Sequence, residues 1–251
     1  MRILQITDLH IGKVQEDTFG VDVRKNFNTI LEKAKHSSPD HIVITGDLCY
    51  QTGERSIYDW IHQKLESLNI PYSIIAGNHD DPVMMADVFG LASLIQREGL
   101  YYRLQINGQS VLYLDTSSDS LPEDQMKWLE TELNDGDERM IVFMHHPPAR
   151  VGVPFMDNNY PLKNYKQVQE ILVSSGREVH VFCGHYHIEK RIEISNLTIH
   201  ITPSTFFQLD QQSDSFKVDH HNIAYRELDC SATNFDTRVL YFKGHNLKKV
   251  I

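Results

Sequence analysis

The sequence predicts an α/β (α+β) chain, a four-layer αββα sandwich in which two mixed β-sheets pack face to face and are flanked by helices. Three observations predict it. Strand-like apolar runs alternate with helical patterns from residue 1 to about 200, an order that implies a sheet covered by helices. Asn107-Gly108 joins two strand runs with no helix between them, so the sheet is mixed rather than purely parallel. After residue 188 the pattern is mostly β, and this continuous run is read as forming a second sheet.

The elements follow from spacing and stop signals. A first apolar run at residues 3–6 precedes a helix over 22–37, where Val23, Phe27, Ile30, Leu31 and Ala34 share one face and Pro39 ends the pattern. After the run at 42–44, Ile57, Trp60, Ile61, Leu65 and Leu68 repeat the helical spacing and stop before Pro71. Residues 81–95 are a third helical segment, interrupted by Gly90. Runs at 102–106 and 110–114 form the hairpin around Asn107-Gly108. Helical patterns return at 122–133, with Pro122 in the first turn and Glu123 and Asp124 favouring the N-terminus, and again at 164–174. Residues 188–194, 197–202, 223–228 and 237–242 read as strands. The longest irregular segment, 147–161, directly follows a histidine pair and is read as an active-site loop, since long loops in compact domains are often functional.

A length of 251 residues suits one domain spanning 1–251. Hydrophobic residues at 41 % and charged residues at 23 % are ordinary for a globular protein and exclude a disordered class. No apolar run approaches the roughly 18 residues that a membrane span needs. The first residues run straight into the first strand, leaving no room for a signal peptide. Three cysteines, Cys49, Cys183 and Cys230, make an odd count without paired spacing, which argues against a disulfide framework and for a reducing cytoplasm. A formal charge of −10 argues against a nucleic-acid polymer as partner, because such surfaces cluster Lys and Arg, and Lys248-Lys249 is too short a run to change that.

Five polar clusters each directly follow an apolar run: Asp8-Leu9-His10, Gly46-Asp47, Gly77-Asn78-His79-Asp80, His145-His146 and Gly184-His185-Tyr186-His187. Each is expected at the end of a buried strand, where open α/β sheets hold ligands. Carboxylate, imidazole and amide oxygen are borderline-to-hard ligands, suited to Mn, Fe or Zn and unlike the thiolate sets of structural zinc. Two divalent ions, held by Asp8, His10, Asp47, Asn78, His145, His185 and His187, are therefore expected. On a pure strand Asp8 and His10 would face the same side. Asp47 can bridge both ions. Two ions roughly 4 Å apart activate a bridging water and stabilise the attacking and developing oxygens of an in-line displacement. Four positive charges less Asp8, Asp47 and a bridging hydroxide leave about one, which suits a monoanionic phosphodiester.

His79 adjoins the ligand Asn78 and is read as uncoordinated, free to stabilise the pentavalent phosphorus or to protonate the leaving alkoxide. Asp80 is read as orienting the His79 imidazole, and Asn78 and His79 as facing the substrate. For His146 two readings stay open, a residue that orients a neighbour and a packing residue. His36, His41, His62, His180 and His200 are read as structural or solvated, and His220, His221 and His245 as surface residues. Cys183 is read as pointing into the core, and Cys49 as the nearer of the two to the metals.

These five clusters resemble the pattern of the calcineurin-like metallophosphoesterase superfamily: Asp-x-His, Gly-Asp, Gly-Asn-His-Asp/Glu, His and Gly-His-x-His. The resemblance implies the four-layer αββα fold, a first metal at Asp8, His10, Asp47 and His187, a second at Asp47, Asn78, His145 and His185, and a catalytic role for His79. Arg2-Ile3-Leu4-Gln5-Ile6-Thr7-Asp8, His145-His146-Pro147-Pro148 with Met156-Asp157, and Thr202-Pro203-Ser204-Thr205 with Gln208 are similar to bacterial class III 3′,5′-cyclic-AMP phosphodiesterases, although the connection at 116–124 is shorter and less Gly-rich than expected in that group. That closer resemblance implies hydrolysis of cyclic AMP to a nucleoside 5′-monophosphate. The alternatives are a hydrolase of glycerophosphodiesters or small nucleotides, and a non-catalytic scaffold on the same fold, which the retained His79 disfavours.

Overall fold

A computed structural model describes residues 1–97, 99–231 and 234–247. Along the chain the strands of the two main sheets are β1 (Arg2–Ile6), β2 (His41–Thr45), β3 (Tyr72–Ile75), β4 (Tyr102–Ile106), β5 (Gln109–Tyr113) and β6 (Arg139–Phe143), followed by β7 (Glu178–Cys183), β8 (Lys190–Ile194), β9 (Leu197–Ile201), β10 (Asn222–Cys230) and β11 (Phe235–Lys243). The helices are α1 (Val23–His36), α2 (Arg55–Glu66), α3 (Pro82–Val88), α4 (Glu123–Asn134), α5 (Pro154–Asn159) and α6 (Tyr165–Ser174).

One sheet has five strands in the order β11-β10-β1-β2-β3, with β1, β2 and β3 parallel and the two late strands antiparallel. The other has six in the order β8-β9-β7-β6-β5-β4, parallel in its centre with β4 and β8 as antiparallel edges. The parallel strands β2, β6 and β7 are almost wholly buried, as strands covered on both faces must be. Polar bridges tie the facing sheets. Gln5 Nε2 donates to the Cys183 carbonyl at 3.1 Å, Arg226 donates to Thr202 Oγ1 at 2.9 Å and to the Ile201 carbonyl at 3.1 Å, and Tyr102 Oη donates to the Ile74 carbonyl at 2.7 Å. Helix α1 packs on β10, and α4 packs against α6, so the architecture is α/β with two mixed sheets between helices.

The expectation that everything after residue 188 forms its own sheet is corrected. Strands β8 and β9 extend the six-stranded sheet, whereas β10 and β11 cross back to pair with β1. Both β1 and β7 would otherwise offer an open edge whose N–H and C=O groups need partners. Periodicity reveals a strand but not which edge it joins; here Arg2 opposite Asp229 adds a 2.8 Å ion pair to the register.

Local chemistry explains most boundaries. Asp22 caps α1 by accepting from the Lys25 amide at 3.1 Å, and Lys33, Lys35 and His36 complement its C-terminal end. Asp81 caps α3 through the amides of Val83 and Met84, and the helix is short because Gly90 adopts φ +69° just beyond it; residues 92–94 make a 3₁₀ turn and Ile95 enters a two-stranded ribbon. Pro122 stands at the N-cap of α4 rather than inside its first turn. Asn107 and Gly108, at φ +49° and +84°, have the positive φ pair of a type I′ hairpin. Segment 147–161 is not irregular throughout, for it contains α5, whose entry is held by the Asp157 carboxylate accepting from the amides of Val151, Gly152 and Val153. Lys248 and Lys249 lie outside the described residues. Among the described residues no helix is long and apolar enough to cross a membrane.

Candidate metal centre

All five clusters leave the ends of parallel strands, three from the five-stranded sheet (β1, β2, β3) and two from the six-stranded one (β6, β7), and meet along one edge of the sandwich. Asp8 and His10 lie just past the end of β1, as expected, so the alternation that a pure strand would impose does not set their facing. They follow β1 in a turn where Asp8 has φ +54° and His10 φ +44°. Asp47, His185 and His187 are left-handed as well, at φ +52°, +66° and +51°. Each such non-glycine residue costs about 1 kcal/mol or more, a strain that persists when surrounding structure holds it and that re-aims the side chain off the strand. Backbone bonds lace the turns together: His10 N to the Asp47 carbonyl at 2.9 Å and Gly184 N to the His145 carbonyl at 3.1 Å.

The glycines of the clusters are needed for close approach. A Cβ on Gly77 would fall within 3.0 Å of the Asp47 backbone N and carboxylate, and one on Gly184 would meet Thr7 and the Asp8 carboxylate just as closely. The turns can therefore nest only without side chains at these positions.

The donors then converge. Asp8, His10 and His187 offer ligand atoms within 4.8 Å of one another, and so do Asp47, His145 and His185. A further combination, His10, Asp47 and His79, also falls within that limit. His187 Nε2 is 3.3 Å from Asp8 Oδ1, His145 Nε2 is 3.2 Å from Asp47 Oδ2, and His10 Nε2 and His187 Nε2 face each other at 3.0 Å. Asp8 also accepts from Thr7 Oγ1 and the His185 amide, and Asp47 from the His79 amide at 3.0 Å. Burial would raise both carboxyls, but His187 and His145 for Asp8, and His145 above all for Asp47, hold them below the usual carboxylate range. Burial pushes His10 down to about 3 and His185 well down, the latter helped by His146 and His145. His145 resists its own burial because Asp47 lifts it to about 9.

This donor set fits a pair of divalent ions. His145, His185 and His187 each turn an outer ring nitrogen to a backbone carbonyl, of Thr45 at 2.8 Å, Tyr160 at 2.9 Å and Phe207 at 3.1 Å respectively. That leaves the inner nitrogen to face the cluster, the arrangement in which outer hydrogen bonds set the tautomer of ligating histidines. Among the described residues, Asn78 Oδ1 is buried without any hydrogen-bond partner, and the buried His145 Nε2 makes no well-aligned hydrogen bond to the Asp47 oxygen beside it. Unpartnered buried polar atoms are costly, and a cation would satisfy both. The proton that Asp47 favours on His145 is one that metal binding displaces. His10 departs from the pattern, since its Nδ1 has no partner among the described residues.

His79 stands apart from these buried donors. Its side chain is 34 % exposed, its Nε2 lies 4.0 Å from Asp47 Oδ2, and its Nδ1 faces the Gln51 carbonyl at 3.0 Å. The expected orienting role of Asp80 is therefore corrected: Gln51 holds the imidazole. Asp80 instead accepts from the amides of Leu48, Cys49 and Gly77 and from Tyr58 Oη, binding the β2 and β3 turns to each other. Burial, with Asp47 adding to it, raises Asp80 to about 6. His146 has its Nδ1 at 2.9 Å from Thr116 Oγ1 and its Nε2 at 3.4 Å from Asp119, and its ring lies 4.0 Å from that of His185, so it supports a neighbour. The 116–124 connection thus braces the site from behind. Cys49 and Cys183 are buried outside the clustered donors, and burial pushes both thiols up. His41 bonds Ser73 at 2.6 Å, while His180 bonds His200 at 3.2 Å, both away from the site. His245 is not a free surface residue, since its Nε2 is 3.0 Å from Thr29 Oγ1.

A cavity of about 410 Å³ opens over the donors. His10, Asp47, Asn78, His79, His185 and His187 form its floor. Phe155, Met156 and Tyr160 of segment 147–161 line one wall, so that loop does border the site; Asn158 turns away to accept from Arg150 at 2.8 Å. Phe19, Tyr50, Phe206, Phe207, Leu209 and Phe216 complete the lining. Sequence reasoning missed these aromatics, because they come from separate turns without a shared spacing. The carbonyls of Thr45, Gln51, Tyr160 and Phe207 carried no sequence signal, since every residue has one.

The comparisons agree with this architecture. A profile of the calcineurin-like phosphoesterase family matches residues 1–189. A probable cyclic nucleotide phosphodiesterase of Fibrobacter succinogenes is 33 % identical over 241 residues, covering 96 % of this chain and 94 % of that one. The 3′,5′-cyclic adenosine monophosphate phosphodiesterase CpdA of Escherichia coli K12 is 28 % identical, covering 92 % and 86 %. Among solved structures, a dimetal phosphatase from Danio rerio superposes with a TM-score of 0.67 over 98 % of this chain and 96 % of that one at 14 % identity, a likeness of fold. A buried set of carboxylate, amide and imidazole donors at five strand ends, on this fold and with these relatives, means that the chain belongs to the calcineurin-like phosphoesterase family.

Proposed function

We propose that this chain hydrolyses 3′,5′-cyclic nucleotides, cyclic AMP among them, to nucleoside 5′-monophosphates. The observation that carries the reading is the convergence of two buried donor groups, Asp8, His10, His187 and Asp47, His145, His185, beneath a cavity that no Lys or Arg lines among the described residues. Such a site suits a small monoanionic diester better than a polyanion. The named phosphodiesterase relatives support the diester class.

In this reading Asp8, His10, Asp47 and His187 would hold one metal ion, and Asp47, Asn78, His145 and His185 would hold the other, Mn²⁺ and Fe²⁺ or Fe³⁺ being suited to the donors and Zn²⁺ acceptable. When bound, such a pair supplies Lewis acidity and a water activated near neutral pH. The remaining steps belong to the chain. His79, with Nδ1–H donating to Gln51, presents Nε2 to the cavity, where its protonated form donates to the departing alkoxide. Such general-acid help is worth ~10²–10⁴ in rate. Asp80 acts at one remove, holding the two turns that aim Asp47, Asn78 and His79.

Steady-state hydrolysis of cyclic AMP, cyclic GMP, glycerophosphocholine and a single-stranded oligonucleotide, after reconstitution with Mn²⁺, Fe²⁺ or Zn²⁺, tests the proposal. Cyclic nucleotides are expected to give the highest kcat/KM. A clearly higher value for glycerophosphocholine replaces the reading with a glycerophosphodiesterase, and a higher value for the oligonucleotide refutes the charge argument.

A further inference from the structure

The cavity floor is polar, but its rim is not. Phe19 is 57 % exposed, Tyr160 52 % and Phe216 47 %, the most solvent-exposed aromatic side chains around the centre. They are the outer members of a connected aromatic array. Phe216 lies 5.7 Å from Phe19, 6.0 Å from Phe155 and 6.0 Å from Phe207, and Phe206 and Phe207 are 4.1 Å apart. The array reaches the floor, because Phe206 is 5.1 Å from His10 and Phe207 is 5.3 Å from His187. Its members come from three loops and helix α5, which other contacts tie down. The Phe155 amide donates to the Ser213 carbonyl at 3.3 Å, and Lys217 pairs with Asp210 at 2.6 Å, closing the base of the loop that carries Phe216. Large apolar side chains left in water beside a reaction site mark a surface meant to be covered by a ligand.

From this geometry we infer that Phe19, Phe207 and Phe216, whose rings pack on one another at 5.7–6.0 Å, form a stacking platform for one face of a flat aromatic group on the diester, the nucleobase of a cyclic nucleotide, and that this platform sets substrate preference. The inference rests on the proposed diester hydrolysis at the floor. A base has a π-face on each side and stacks on aromatic rings with little regard to its hydrogen-bonding edge. Aromatic rims also bind quaternary ammonium groups, but charge argues against that occupant here. Asp47 is the only carboxylate lining the cavity among the described residues, and it belongs to the donor cluster. A cationic headgroup would therefore sit above a bound pair of divalent ions with no free carboxylate beside it. The lack of a lining Lys or Arg among the described residues has a second consequence: nothing on the platform holds the dianionic monoester product, so the platform reads the ring and leaves the phosphate to the floor.

Phe19→Ala and Phe216→Ala test this, since both side chains are about half exposed and their loss removes little core. The control is Val14→Ala, at an exposed position outside the cavity. Three diesters are compared on the Mn²⁺-loaded protein: cyclic AMP, bis(p-nitrophenyl) phosphate, which is flat but not a nucleotide, and glycerophosphoethanolamine, which has no ring. The ratio of kcat/KM for either flat diester over glycerophosphoethanolamine is expected to fall on the order of 5- to 150-fold in each Phe variant, mainly through KM, and to stay constant in the Val14 variant. Equal losses on all three diesters, or no loss on any, overturn the platform. If the intact chain turns over bis(p-nitrophenyl) phosphate but not cyclic AMP, and the Phe variants still lose that ratio, the platform stands and the cyclic-nucleotide reading falls.

Discussion

Replacing Gly77 by Ala probes the nesting of the turns more sharply than removing a ligand does. The added Cβ would lie 2.9 Å from the Asp47 Cγ, where ordinary contact begins at 3.4 Å, so the β2 and β3 turns must part by at least 0.5 Å (3.4 less 2.9), and the still closer Asp47 N and Oδ1 demand more. Neither side yields freely. The Asp47 carbonyl is bonded to the His10 amide at 2.9 Å, and the Gly77 amide to Asp80 Oδ2 at 2.9 Å. Overpacking of this kind costs ~1–3 kcal/mol, which for a chain of this length lowers Tm by roughly 2–12 °C. Asp47 is proposed to touch both ions, and a misplacement approaching 1 Å costs about 10²-fold in rate. The expected outcome is a folded protein that, after dialysis, retains fewer than two ions per chain by elemental analysis and hydrolyses diesters about 10- to 100-fold more slowly. Thermal unfolding in a chelator separates fold strain from metal loss. Gly90→Ala is the control: its φ of +69° is unfavourable for Ala, as that of Gly77 is not, but the new Cβ meets nothing within 4 Å among the described residues, so it strains the backbone without moving a ligand. Full metal content and normal turnover in Gly77→Ala, or equal metal loss in Gly90→Ala, would refute the reasoning.

Other perturbations read different parts of the site. Asp47→Asn removes the carboxylate that faces His145 at 3.2 Å and His10 at 3.7 Å, and is expected to lower bound metal and abolish turnover; two ions retained with near-normal rates disprove a shared ligand. His79→Ala is expected to keep both ions and slow hydrolysis by ~10²–10⁴, least for a p-nitrophenyl ester whose leaving group hardly needs a proton; an equal loss on that ester means that His79 is not mainly an acid. Away from the site, burial holds His41 at about 4, below its ordinary 6.5, so the unfolded chain takes up a proton that the folded chain refuses. Stability is therefore complete above pH 6.5 and declines as pH falls toward 4, by up to ~3 kcal/mol from this group. Urea unfolding at pH 7 and pH 4.5 measures the difference, and His41→Gln is expected to flatten it; an unchanged difference excludes His41 as its source.

Much of the site was legible along the chain because metal ligation uses few residue types and strand ends place them at set points. The five clusters, their order and the apolar runs ahead of them all proved to be strand ends meeting at one edge. Legibility failed where partners are distant in sequence or are backbone. Asp80 adjoins His79 in the chain yet faces away from its ring, toward amides of the β2 turn, while the Gln51 carbonyl, 28 residues earlier, holds the imidazole. The left-handed turns at Asp8 and His10 were hidden because neither Asp nor His announces a positive φ as glycine does.

Sequence by itself determined the α/β class, the family and the clusters of candidate ligands, because periodicity records burial and carboxylate and imidazole groups at strand ends record the chemistry of a metal centre. Only the tertiary structure decided that β10 and β11 return to β1 rather than close a sheet of their own, since edge pairing depends on which backbone groups remain open after the other strands have paired. It also decided the aromatic rim. Phe19, Phe207 and Phe216 are scattered through nearly 200 residues and share no spacing, and they lie beside Phe155 of the expected active-site loop only because the sandwich brings three unrelated loops and α5 to the edge where the donors already meet.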